Sequence, residues 1–145
     1  MGHEEAFVKA FIASAQRARW VHFLALPKRR QEILSRLNRH LPYISELGTV
    51  VPSDQDYPGG IEQLLKAKGA GPTCHVLVDG LRIDGRELPL PQALNEICMH
   101  RGGAILSCLP GRLAYYKPES PAPGVLLERP RLSKFETRAS GRAAT

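Results

Sequence analysis

The stretch from Gly103 to Lys117, GAILSCLPGRLAYYK, constrains the fold more than any other part of this chain. Two apolar runs, Ala104–Leu109 and Leu113–Lys117, flank Pro110-Gly111. Ile, Leu and the paired tyrosines suit a pleated, half-buried surface, and Pro-Gly supplies a turn, so the segment reads as a β-hairpin. Helix-patterned segments lie on either side and need a sheet to pack on, which places the hairpin at the centre of that sheet. With a two-residue loop, Ala104, Leu106 and Cys108 share a face with Leu113, Tyr115 and Lys117. Ile105, Ser107 and Leu109 then share the other with Arg112, Ala114 and Tyr116. A one-residue slip would exchange the two sets. Pro-Gly favours a type II turn over the primed turns of the tightest hairpins, so a longer loop is equally open. The first face is largely apolar and predicts a buried Cys108. The second makes Ser107, Arg112 and Tyr116 the polar group to examine.

Before the hairpin the pattern is helical. Phe7, Phe11, Ala15, Ala18, Val21 and Ala25 recur at three- and four-residue steps, predicting an amphipathic helix over 4–26 with Glu4 and Glu5 favourably placed in its first turn. Pro27 ends it and can open a second helix over 28–40, with Ile33, Leu34, Leu37 and Leu41 on one stripe. Residues 42–60 are dense in Pro, Gly, Ser and Asp and read as loop. A short helix over 61–68 stops at Gly69. A strand over Cys74–Val78 follows, then Asp79-Gly80 and Asp84-Gly85 mark turns around Leu81–Ile83, which fits either a strand or a packed loop. Another helix runs from about Leu90 to His100, placed on the same layer as the N-terminal pair. Val125–Glu128 reads as a last edge strand. Helices first, then strand, helix and hairpin make an α+β fold: an N-terminal helical pair on a small, mainly antiparallel sheet with one further helix between strands. The compact part is expected over 4–129, with 130–145 as a disordered basic tail.

Charge is unevenly distributed. The chain of 145 residues carries a formal charge of +6, but residues 1–40 hold eight Lys/Arg against three Asp/Glu, residues 41–100 four against eight, and residues 101–145 eight against three. Basic ends around an acidic middle permit nucleic-acid or acidic-partner binding, or pairing within the chain. Arg17, Arg19, Lys28, Arg29, Arg30, Arg36 and Arg39 lie on or between the first two helices, and the planar arginine fork suits phosphate and carboxylate alike. Lys28–Arg30 sit at a helix start, where positive charge is mildly unfavourable, so they are expected to answer to acidic groups in this chain or a partner. Three scattered cysteines do not describe a disulfide framework. Charged residues interrupt the N-terminal apolar run, and no apolar run approaches the roughly 20 residues of a membrane span. A cytoplasmic protein is the expectation.

The catalytic signals are sparse. Cys74-His75, Cys98-Met99-His100 and Cys108 supply zinc-ligand residue types, yet strand neighbours point to opposite faces and helix residues two apart diverge. Cys108, with a histidine such as His75, is the candidate for a thiol nucleophile. Asp79 and Asp84, with Glu87 nearby, are the candidates for a carboxylate–metal site, although Asp-Gly is what turns ask for in any protein. The recognised phosphate-binding, dinucleotide, serine-hydrolase and zinc-protease patterns are missing. The leading expectation is a non-catalytic binding or regulatory module without a cofactor. Its partner would be an acidic protein or a nucleic acid, held through Arg17, Lys28, Arg29, Arg30, Arg36, Arg112 and Tyr116. A small enzyme using Cys108 or a carboxylate-bound metal is the alternative.

Overall fold

A six-stranded antiparallel sheet divides the molecule into two helical layers in a computed structural model, which describes residues 2–130. The elements, in order, are α1 (His3–Phe11), α2 (Ser14–Leu24), α3 (Pro27–Leu34), β1 (Gly48–Val50), α4 (Pro58–Ala67), β2 (Thr73–Val78), β3 (Glu87–Pro89), α5 (Leu90–Met99), β4 (Ala104–Leu109), β5 (Leu113–Lys117) and β6 (Val125–Glu128). The strand order is β1-β6-β5-β4-β2-β3, so the β4–β5 hairpin occupies the middle. The expected α+β architecture is present. The expected tail lies, from residue 131 onward, outside the described residues.

Alternation along the central strands feeds both layers. Val76, Val78, Leu106, Cys108, Leu113 and Tyr115 pack beneath α4 and α5 with Ile61, Leu65, Leu94 and Ile97. Leu77, Ile105, Ala114, Tyr116 and Leu127 pack beneath α1–α3 with Phe7, Phe11, Trp20, Ile33 and Leu37. The helix over 90–100 therefore lies opposite the N-terminal helices and not on their layer. A sheet whose central strands are apolar on both faces needs cover on both, and α4 with α5 supplies the second.

The hairpin keeps the two-residue-loop register from Ala104↔Lys117 to Ser107↔Ala114, then shifts so that Leu109 pairs with Leu113. This bulge turns Leu109 toward the α4–α5 core, contrary to the face expected for it. The Arg112 amide donates to the Leu109 carbonyl at 2.9 Å, and Gly111 has φ +70°, the left-handed geometry that a type II turn requires after proline.

Other expected elements differ at their ends. The helix over 4–26 is broken at Ile12-Ala13, because backbone there bonds to the returning chain: Ala13 N–H donates to the Pro42 carbonyl and Ile44 N–H to the Phe11 carbonyl. Pro27 does open α3, but the helix over 28–40 tightens to a 3-10 turn at Ser35–Asn38. The loop over 42–60 contributes a short strand, β1, that covers β6, so Val125–Glu128 is not an edge. Leu81–Ile83 is a packed loop with Ile83 buried. Among the described residues no helix is long and apolar enough to cross a membrane.

Candidate functional site

The catalytic candidates do not converge. Cys108 is 6% exposed beneath α4 and α5. Burial, then the nearby Cys74 thiol, pushes its own thiol far above the ordinary range, so the nucleophilic thiolate is suppressed. Cys74 is likewise buried, and its thiol is pushed up to about 12. Asp79 lies in the turn after β2. Among the described residues no group of three or more His, Cys, Asp or Glu side chains is placed to hold a metal ion.

His75 belongs instead to a polar chain between α1 and the sheet. Its Nε2 lies 2.8 Å from Glu4 Oε2, and its ring stacks on that of His3 at a centroid distance of 5.4 Å. His3 Nδ1 lies 2.8 Å from the hydroxyl of buried Ser107. Glu4 also accepts two bonds from Arg30, at 2.6 and 2.8 Å, and Arg30 donates two more to Asp84, at 2.8 and 2.9 Å. Burial raises the Glu4 carboxyl, but His75 and Arg30 together outweigh it and hold the carboxyl at about 2. Burial, and then the neighbouring His75, lowers the His3 imidazole. A serine, histidines and a glutamate are thus adjacent, yet the serine is closed to solvent and the glutamate is taken up by Arg30 and His75. The chain fastens α1, α3 and the loop after β2 to one another. None of this spacing was visible in sequence, because the contacts join residues more than 20 positions apart and were not predictable without the register.

The basic residues divide accordingly. Arg30 is committed internally and meets Asp84 of the acidic middle, as its place at a helix start led us to expect. Arg29 pairs with Glu32, and both Arg29 and Arg19 lie 5.3 Å over the Phe23 ring. Arg17 donates to the Ile12 carbonyl at the helix break. Tyr116 is buried in the core beneath the N-terminal helical layer, its hydroxyl donating to the Leu37 carbonyl of the 3-10 turn at 2.7 Å, and so presents no surface to a partner. Arg112 is partly covered beside the hairpin turn, its Nε buried and without a hydrogen-bond partner among the described residues. Lys28 is exposed at the start of α3.

What remains is a concave basic surface. A groove of about 400 Å³ between α2 and the 3-10 turn is lined by Gln16, Arg36, Arg39, His40 and Pro42, with buried Trp20 as its floor. Arg36 and Arg39 are exposed and form no ion pair among the described residues. The 3-10 tightening places both guanidinium groups along one rim, and they also line the adjoining depression beside Asn38 and Glu119. His40 and Gln16 were not among the residues singled out by sequence; their position depends on the chain turning back at Pro42. Against known proteins, the chain matches no protein family, no curated protein and no solved structure.

Proposed function

We propose that this protein is a non-catalytic binding module that holds an anionic macromolecule, a nucleic acid or an acidic protein segment, through the groove rimmed by Arg36, Arg39 and His40. The observation that carries the reading is that these arginines rim a concavity and form no ion pair among the described residues, while Arg30 is neutralised internally. Unpaired cations at a concave surface attract phosphate or carboxylate, and arginine can engage either in bidentate fashion. Arg17 and Lys28 extend the positive field beyond the groove, while Arg29 is paired with Glu32. Three cysteines without disulfides accord with action in the cytoplasm. Fluorescence anisotropy with single-stranded DNA, single-stranded RNA, duplex DNA and a poly-glutamate peptide tests the reading. Tight binding of one of these that is lost in Arg36→Ala/Arg39→Ala supports it. No binding to any, or binding indifferent to the double substitution, refutes it.

A further inference from the structure

On the opposite helical layer a second cleft, of about 330 Å³, opens between the start of α4, the end of β5 and the loop leading into β6. We propose that it binds a small zwitterion of the free α-amino-acid class, with the ligand carboxylate on Lys117 and its ammonium on Asp56. The inference is independent of the basic groove. Lys117 is only 7% exposed, and its Nζ donates to two carbonyls, Gly102 at 2.8 Å and Pro118 at 3.3 Å. A buried ammonium is normally paired with a carboxylate, and among the described residues this one has none within ion-pair distance. Asp56 lines the same cleft, its carboxylate accepting from the Gly124 amide at 3.2 Å and from the Tyr115 hydroxyl at 3.5 Å.

Lys117 and Asp56 thus both line one cleft, and the two side chains do not pair with each other. A simple anion would meet repulsion from Asp56, and a simple cation would meet it from Lys117. A molecule carrying an ammonium and a carboxylate on the same carbon satisfies the pair. Tyr57, Pro121 and Ala122 form a wall for a modest apolar side chain, and Tyr57 is 54% exposed before any ligand arrives. The volume falls at the lower end of small-molecule sites, about 300–1,000 Å³.

Titrating the full chain with glycine and L-leucine, followed by amide NMR at Gly124, tests the proposal. N-acetyl-L-leucine and L-leucinamide serve as probes bearing one charge each. The expected result is a saturable Gly124 shift with leucine, and affinity at least about tenfold weaker for both single-charge probes, the loss of one charge-assisted contact. Asp56→Asn, which keeps an acceptor for Gly124, should weaken leucine by a similar factor. Lys117→Met should do so too, but it also frees the Gly102 and Pro118 carbonyls, so the asparagine variant remains decisive if that protein fails to fold. Absence of a saturable shift with glycine or leucine at about 10 mM overturns the proposal. So does equal affinity for N-acetyl-L-leucine, or leucine binding unchanged by Asp56→Asn.

Discussion

Replacing Arg30 by alanine should be among the most damaging single changes on the helical layer. The guanidinium donates two bonds to Glu4 and two to Asp84, and the three side chains are only 18%, 24% and 22% exposed. Removing it leaves two largely covered carboxylates facing each other. Breaking a buried pair costs about 3–5 kcal/mol, and partial solvation here reduces that to roughly 3 kcal/mol. The Glu4 carboxyl points the same way: His75 and Arg30 together outweigh burial and hold it at about 2, so removing Arg30 takes away part of what keeps it ionised. For a domain of this size such a loss lowers Tm by roughly 10 °C. Urea denaturation of wild type, Arg30→Ala and Arg30→Lys at pH 7 is the assay, with lysine intermediate because it cannot donate in a fork. The sign with pH is fixed. A carboxyl depressed on folding contributes fully above its unfolded value and loses the contribution as pH falls through its folded value. Wild-type stability should therefore decline from about pH 5 toward pH 2, and the decline should be shallower in Arg30→Ala. An alanine variant within about 1 kcal/mol of wild type at pH 7, or with the same acid profile, would refute the reasoning.

Tyr116→Phe strands the Leu37 carbonyl in the core and should cost about 1–2 kcal/mol in chemical denaturation while leaving partner affinity unchanged. Gly103→Ala would drive a Cβ into the Leu37 carbonyl and should cost about 3 kcal/mol or more, read as a fall in Tm. Iodoacetamide labelling followed by mass spectrometry should modify half-buried Cys98 before Cys74 or Cys108; native-state labelling of Cys108 ahead of Cys98 would reinstate it as a candidate nucleophile.

The hairpin, its first register and the burial of Cys108 were legible because alternation over 104–117 leaves few apolar arrangements. Pro27 likewise marked a helix boundary correctly, since proline acts through local sterics. The break at Ile12-Ala13 was not legible: it has no Pro or Gly and arises from pairing with Leu41–Ile44 after the chain has turned back. Placement of α5 failed for a related reason. Its apolar stripe shows that one side is buried, but a stripe does not say which face of the sheet it meets. The cluster of basic residues was visible in composition, whereas the division between committed Arg30 and Arg36 and Arg39, which form no ion pair among the described residues, required the tertiary positions of Glu4 and Asp84.

The central claim, that Arg36 and Arg39 hold an anionic partner directly, is tested most directly by the salt dependence of nucleic-acid binding. Each phosphate contact contributes about −0.9 to the slope of log K against log salt on duplex DNA, or about −0.7 on single strands. Arg36→Ala/Arg39→Ala should weaken binding and make that slope shallower by roughly 1.8 on duplex DNA or roughly 1.4 on single strands. An unchanged slope, or a flat salt response in the wild type together with no affinity for the poly-glutamate peptide, would contradict the account.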